Sequence, residues 1–136
     1  MEKRIFLNLP VQDITVATRF YQAIGCVKND TYSDENSSSM VWSEAITFQL
    51  LARESFATFS PKAVADANRD CGMMIALNRA SKSEVDGMVV SAAKAGGRSD
   101  VRPVQDLGWM YNRTFEDPDG HLFEVLWMDV PAAQST

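Results

Sequence analysis

The sequence predicts an α+β fold in which a strand, a helix and three further strands occur twice along a single domain of 136 residues. A short apolar run at residues 5–9 precedes a helical pattern that begins after Asp13 and stops at Gly25. The same order returns with an apolar run at residues 73–77 and a helical pattern that stops at Gly96. Because the order, the helix lengths and the stops all agree, the chain is interpreted as two βαβββ modules.

The strand patterns set the bounds of the two modules. We expect the first module at residues 3–53 and the second at residues 71–129, with a linker containing short helices at residues 54–70 and a tail at residues 130–136. After the first helix, strands are predicted at residues 26–32, 40–43 and 45–51, with a polar loop at residues 33–39. After the second helix they are predicted at residues 98–105, 109–115 and 121–128.

Capping residues and apolar spacing define the two helices. Asp13 is a predicted N-cap, and Ser81 with Glu84 has the Ser-x-x-Glu form of a capping box. Apolar residues recur three and four positions apart in both segments, as they do on the buried face of an amphipathic helix. The predicted core combines these faces with alternate strand residues: Leu7, Phe20, Ile24, Ile75, Val85, Val89, Phe123 and Trp127.

Composition narrows the class of partner. The net charge is −5, and the sequence has no cluster of Lys and Arg that could neutralise nucleic-acid phosphates or bind an anionic membrane. It also has no apolar run of membrane-spanning length and no signal-peptide pattern, so we expect a cytoplasmic protein. Cys26 and Cys71 are too few for a disulfide framework and form no zinc-binding pattern.

Strand alternation selects the side chains expected on the open side of each module. Phe6 and Asn8 alternate with the aliphatic residues of the first strand, as Met74 and Asn78 do in the strand that opens the second module. Gln49 and Glu124 occupy equivalent positions on the last strand of each module, each polar among apolar neighbours. A carboxylate is costly to bury without a partner, so something must face Glu124.

Two segments resemble a known superfamily. Residues 5–25, in which Asp13 opens a helix containing Phe20 and Tyr21, resemble the opening of the glyoxalase/bleomycin-resistance/dioxygenase (vicinal oxygen chelate) superfamily. Residues 115–121, with the Asp117-Pro118-Asp119-Gly120 turn before Glu124, resemble its closing motif. The whole sequence is most similar to an uncharacterised lactoylglutathione lyase-like group. The resemblance implies curved mixed sheets around a cleft, and a homodimer.

The resemblance also locates the positions where metal-dependent members hold a divalent ion. Gln49 and Glu124 match the two ligand positions on the last strands, whereas Phe6 and Met74 stand at the two first-strand positions, where His or Gln is expected. Phe has no donor atom, and a thioether is a poor ligand for magnesium, nickel or zinc. His121 is interpreted as a turn residue exposed to solvent. We therefore expect no metal and no cofactor.

Three functions remain open from the sequence. The first is a metal-free binding protein for a small, partly apolar ligand. The second is a lyase or isomerase in which Glu124 is the catalytic general base. The third is a dimeric protein-interaction module with a vestigial cleft. Trp109 and Tyr111 either stack on a flat ligand or pack in the core or a dimer interface. The predicted ligand-binding residues are Phe6, Asn8, Gln49, Met74, Asn78, Trp109, Tyr111, Arg113, Leu122 and Leu126.

Hairpin geometry suggests the partner of Glu124. If Asp117 to Gly120 form a four-residue loop, Glu116 pairs with His121 and Arg113 lies directly across from Glu124. Cross-strand neighbours share a face of the sheet, so the guanidinium would contact the carboxylate and lower the pKa of Glu124. This pairing favours a binding protein over an enzyme. A loop of another length, or a bulge, would instead turn Arg113 to solvent.

Overall fold

The computed structural model describes residues 1–131, so residues 132–136 of the predicted tail lie outside the described part of the chain. The chain divides into two compact units, Met1–Asp66 and Ala67–Thr136. Each unit contains one open, mixed sheet, and the predicted α+β fold with two βαβββ modules is confirmed. None of the helices in residues 1–131 is long and apolar enough to cross a membrane.

The first unit follows the predicted order, and a short helix follows its last strand where the linker with short helices is expected. Its elements are β1 (Ile5–Val11), α1 (Ile14–Ala23), β2 (Val27–Asp34), β3 (Ser37–Val41), β4 (Ile46–Ala52) and α2 (Arg53–Phe59). Asp13 caps α1 as predicted, its Oδ1 accepting from the amides of Thr15 and Val16 at 2.9 and 3.1 Å. The polar loop expected at residues 33–39 is wrong: β2 and β3 extend into it, and the chain turns at Glu35 and Asn36.

The first sheet has the strand order β1-β4-β3-β2, with β1 parallel to β4 and the other pairs antiparallel. Helix α1 covers one face, where Phe20 and Tyr21 are fully buried and the Tyr21 ring contacts Phe48 at a centroid distance of 5.3 Å. Helix α2 packs against β1 and β4. The face of each sheet turned away from α1, or from α3 in the second unit, is called the open face below.

The second unit repeats this plan with one interruption. Its elements are β5 (Met74–Asn78), α3 (Lys82–Lys94), β6 (Arg98–Ser99), β7 (Gln105–Asp106), β8 (Met110–Glu116) and β9 (Leu122–Met128). The Ser81 side chain accepts from the Glu84 amide at 3.1 Å, as the capping-box pattern predicts. The single strand expected at residues 98–105 is wrong, because β6 and β7 are two short segments separated by residues 100–104.

The second sheet has the order β5-β9-β8-β6, with β7 also pairing with β8. Strand β5 is parallel to β9, and the other pairs are antiparallel. Its core contains Phe115 and Phe123, whose fully buried rings stack at a centroid distance of 4.9 Å.

Most of the predicted core is confirmed. Phe20, Ile24, Val85, Val89 and Phe123 are buried. Three members of the predicted set are only half-buried: Leu7, Ile75 and Trp127. Leu7 and Ile75 lie in the first halves of β1 and β5, while Leu9 and Leu77, two residues further along, are buried.

Candidate functional site

Strand register places three of the predicted ligand-binding residues on the open face of the first sheet. Asn8 lies beside Gln49 in the parallel β1–β4 pair, and Phe6 lies beside Thr47. Phe6 is 60% exposed, although it is a large apolar side chain. The predicted alternation of these two strands therefore agrees with the structure.

Two cavities adjoin this open face. The larger, about 1010 Å³, is lined by Phe6, Thr47 and Gln49 together with polar residues of β2 and the charged pair Glu2 and Arg4. The smaller, about 410 Å³, lies where α2 approaches the sheet, and it is lined by Asn8, Leu51, Phe56, Phe59 and Ser60. Asn8 and Gln49, which are adjacent in the sheet, thus belong to different cavities.

The second sheet gathers five of the predicted residues on its own open face. Met74 pairs with Leu122 and Asn78 with Leu126, while Glu124 lies between the two leucines on β9. Met74 and Asn78 are exposed, and the three β9 residues are half-buried. This face therefore presents one carboxylate with apolar side chains on either side of it.

Glu124 is held by an arginine from the loop at residues 100–104. The guanidinium of Arg102 donates through Nη2 to Glu124 Oε2, and the Asn112 amide donates to the same oxygen at 3.3 Å. Arg102 is the main cause that lowers the pKa of Glu124 below its ordinary value. Partial burial of the carboxyl opposes this, and the Asn112 hydrogen bond adds to it. Glu124 is thus a carboxylate at neutral pH.

A cavity of about 610 Å³ surrounds this pair. Its lining consists of Arg102, Asn112 and Glu124, with Pro103, Val104 and Gln105 from the loop and Met110 from β8. Arg102 and Glu124 have side-chain exposures of 44% and 20%, so both charges are accessible to a ligand. The arrangement offers guanidinium donors, a carboxylate acceptor and apolar walls within one unit.

The predicted pairing of Arg113 with Glu124 is wrong. In the structure Asp117 donates its amide to the His121 carbonyl at 3.0 Å, so Asp117 and His121 close a three-residue loop. Glu116 then pairs with Leu122, and Thr114, not Arg113, lies opposite Glu124. A shift of one residue turns every side chain of β8 to the other face.

Arg113 and Tyr111 therefore leave the predicted ligand-binding set. The Tyr111 hydroxyl donates to Asp86 of α3 at 2.7 Å, which lowers the pKa of Asp86 and raises that of Tyr111. Arg113 donates to the same Asp86 oxygen at 2.8 Å and to both oxygens of Asp100. Trp109 precedes β8 and is half-buried, and its carbonyl accepts from the Asp129 amide at 2.7 Å.

The fold matches that of several solved structures. A hypothetical protein from S. aureus is 27% identical, with a TM-score of 0.78 over 93% of this chain and 95% of that one. A glyoxalase/bleomycin resistance protein/dioxygenase family enzyme from Burkholderia phytofirmans is 17% identical, with a TM-score of 0.75 over 93% and 99%. The chain has the glyoxalase/bleomycin resistance/dioxygenase fold.

Other structures with this fold carry more specific names. The fosfomycin resistance protein FosX from Mesorhizobium loti is 15% identical, with a TM-score of 0.68 over 98% of each chain. At this identity the likeness extends to the fold alone. No protein-family model matches the sequence, and no curated protein matches it either.

At the positions that the resemblance assigns to metal ligands, Phe6, Met74 and Glu124 do not fit a divalent ion. Phe6 and Met74 provide no oxygen or nitrogen donor, and the Glu124 carboxylate already carries a guanidinium on one oxygen. Within residues 1–131 no group of three or more His, Cys, Asp or Glu side chains is placed to hold a metal. The side chains that hydrogen-bond to Glu124 are those of Arg102 and Asn112.

Sequence reasoning missed Arg102 and Asn112. The strand predicted at residues 98–105 includes Arg102, although Pro103 beside it cannot donate to a strand ladder and signals an interruption. The predicted register that puts Arg113 opposite Glu124 also turns Asn112 to the other face. The loop length between β8 and β9 therefore decides which side chains of β8 reach the site.

Proposed function

We propose that this protein binds a small, partly apolar ligand on the open face of its second sheet, with the Arg102–Glu124 pair as polar anchor. The main support for the proposal is the ion pair itself, because its two side chains are accessible to a ligand and line the cavity of about 610 Å³. Ligand sites of this size combine mainly apolar walls with a few polar groups that orient the ligand.

The charges and apolar groups indicate what kind of ligand fits. A guanidinium has five N–H donors, and only Nη2 of Arg102 is used by Glu124, so its other groups remain available to a ligand acceptor. The pair is neutral overall, which favours a neutral polar group over a strongly charged one. Met110 lines the cavity, and Leu122 and Leu126 on the same face add apolar surface.

Binding is better supported than general-base catalysis. A general base at neutral pH works best when its pKa is near neutrality, whereas Arg102 moves the pKa of Glu124 in the opposite direction. The names of two solved structures with this fold refer to resistance to fosfomycin and to bleomycin, which agrees with a ligand-binding role but does not identify the ligand of this chain.

The test uses benzamide as a probe, because it joins an apolar ring to one acceptor and one donor. Amide ¹H–¹⁵N spectra of the whole protein should show shifts at residues 102, 104, 105, 112 and 124 when benzamide is added. Arg102→Ala should abolish these shifts. The matched control is Arg98→Ala, which removes an exposed arginine paired with Glu116 at 3.5 Å on the same sheet. Shifts that persist in Arg102→Ala, or that fall elsewhere, would show that the site is wrongly placed.

A second measurement tests the metal-free part of the proposal. Magnesium, manganese, nickel and zinc should leave the melting temperature unchanged, because a ligand specific for the native state must raise it. A rise at micromolar metal that disappears in Glu124→Gln would contradict this part.

We also propose that the chain forms a homodimer, as the family resemblance implies. In residues 1–131, several large apolar side chains are exposed: Phe6, Val27, Tyr32, Phe59 and Met74. Burial of some of them in a self-interface would stabilise the assembly.

A further inference from the structure

The loop that carries Arg102 is an insertion between two segments of one interrupted strand. Ser99 at the end of β6 pairs with Phe115, and Gln105 at the start of β7 pairs with Asn112. Residues 100–104 therefore lie opposite only Arg113 and Thr114 of β8. The additional residues must leave the ladder, so the position of Arg102 depends on what holds this loop.

Arg113 holds the start of the loop from the helix side. Its Nε donates to Asp100 Oδ1 at 3.0 Å and its Nη2 to Asp100 Oδ2 at 2.7 Å, a two-bond clamp that fixes both the distance and the orientation of the carboxylate. Its Nη1 donates to Asp86 of α3 at 2.8 Å, so the guanidinium is itself anchored to the helix. The Arg113 side chain is only 17% exposed.

The backbone at Asp100 also depends on this clamp. Asp100 has a φ of 52°, which makes it the one non-glycine residue in the described part of the chain with a positive φ. The left-handed region is unfavourable for residues other than Gly, although Asp and Asn adopt it more readily, and such a conformation persists only where the surroundings hold it. The paired side-chain bonds of Arg113 supply that restraint.

Thr114 holds the same loop on the other side of β8. Its carbonyl accepts from the Asp100 amide at 2.7 Å, and its hydroxyl accepts from the Arg102 amide at 3.3 Å. Thr114 is 1% exposed and lies directly opposite Glu124. The loop thus passes from the Arg113 clamp to the Thr114 hydroxyl, and the Arg102 side chain then meets Glu124.

We propose that Arg113 is a positioning residue for the Arg102–Glu124 site. Its hydrogen bonds go to Asp86 and Asp100 rather than to either of these side chains, and it acts from the opposite face of the sheet by fixing Asp100 and thereby the loop. The inference rests on the proposed function only in treating the pair as the binding site. Its test observes the pair directly.

The experiment follows the guanidinium ¹H–¹⁵N resonances of Arg102 in the whole protein. Glu124→Gln supplies the reference position of a weakened pair. In Arg113→Ala, the Arg102 resonances should move toward that reference, and benzamide binding should weaken several-fold although Arg113 does not line the cavity. Arg113→Lys should restore the resonances only in part, because one ammonium cannot reproduce the clamp on Asp100.

Tyr111→Phe is the matched control. It removes the 2.7 Å bond from Tyr111 to Asp86 beside the Arg113–Asp86 contact, but leaves the Asp100 clamp intact. The Arg102 resonances should stay at their wild-type position in this variant. If they move as far as in Arg113→Ala, general loosening of the contacts to α3 explains the effect and the proposal is wrong.

Asp100→Asn keeps the test decisive if Arg113→Ala does not fold. Asn tolerates the left-handed backbone but loses the charged clamp. It should shift the Arg102 resonances in the same direction. Arg102 resonances at their wild-type position in this variant, or in a folded Arg113→Ala, would overturn the proposal, because the clamp would then not position Arg102. Shifted resonances in a protein that never binds benzamide would overturn the proposed function and leave the positioning role intact.

Discussion

The chemical state of Glu124 depends on a side chain that comes from a loop. Its cross-strand neighbour is Thr114, and the neighbouring residue on β5 is Ala76, neither of which carries a charge. Arg102 reaches it from the insertion between β6 and β7 and lowers the pKa of Glu124. Partial burial acts in the opposite direction and would raise the same pKa, so the direction of the shift depends mainly on this one loop residue.

This dependence predicts how stability changes with pH. Because the folded-state pKa of Glu124 lies below its ordinary value of 4.5, the pair stabilises the folded protein fully above that pH. The contribution is lost as the pH falls below it. Arg102→Ala should therefore be less stable than wild type at neutral pH by about 0–1 kcal/mol, the range for an accessible ion pair, and the difference should shrink in acid.

Urea unfolding of wild type and Arg102→Ala, from neutral pH to below pH 4.5, measures the difference in their free energies of unfolding. Arg98→Ala removes the same charge elsewhere on the sheet and should show a smaller change with pH. In a Glu124→Gln background, the effect of Arg102→Ala should no longer depend on pH. A difference that persists unchanged well below pH 4.5 would contradict the assignment of the pair.

The hairpin between β8 and β9 depends on Gly120. Its φ is 90°, and a Cβ there would lie 2.5 Å from Asn68 Oδ1, 2.8 Å from the Asn68 amide nitrogen and 2.9 Å from the Ala67 carbonyl carbon. Two of these atoms are backbone and cannot move aside cheaply. Three-residue hairpin loops commonly place a left-handed residue at this position.

Gly120→Ala should therefore destabilise the protein by more than the left-handed backbone alone explains. Gly108→Ala is the matched control, since Gly108 has a φ of 83° but no atom within 4 Å of an added Cβ. Gly108→Ala should lower the free energy of unfolding by about 1–2 kcal/mol, and Gly120→Ala should lower it by clearly more. Thermal or urea unfolding measures both, and equal losses would mean that Asn68 and Ala67 do not restrict this turn.

The same hairpin marks how far the sequence predicts the candidate site. The alternation along β9, the capping residues of α1 and α3, and the repeat itself are local patterns, and the structure confirms them. The length of a hairpin loop depends on which two residues form the last hydrogen-bonded pair of its strands. Asp117 closes it by a hydrogen bond from its backbone amide to the His121 carbonyl, which the strand pattern does not specify. An error of one residue in the predicted loop length therefore places Arg113, instead of Thr114, opposite Glu124.

At the scale of the whole chain, the two units share one plan and differ where the candidate site lies. In both units the first strand is parallel to the last and the remaining pairs are antiparallel. In the first unit the β2–β3 register shifts between Asn29 and Asp34, and in the second unit the equivalent strand is interrupted by residues 100–104. The insertion of the second unit provides Arg102, which pairs with Glu124, whereas residues 30–33 of the first unit include no arginine. We therefore expect the ligand on the second unit.

The dimer proposal is the prediction that concerns the whole molecule. A stable interface buries about 800 Å² on each partner, and a few large apolar side chains at its centre contribute most of the energy. Phe59 at 78% and Tyr32 at 70% exposure are the candidates, and they lie on α2 and on β2, an edge strand of the first sheet.

Size-exclusion chromatography with light scattering should give about twice the 15.1 kDa mass of one chain. If Tyr32 or Phe59 lies at the centre of the interface, replacing that residue with Ser should produce monomers, because a central apolar contact is lost. Replacing the other of the two residues should leave the dimer intact. Comparing Tyr32→Ser with Phe59→Ser thus identifies which surface is used. Far-ultraviolet circular dichroism of both variants confirms that the fold is intact. A monomeric wild type at micromolar concentration would refute the dimer.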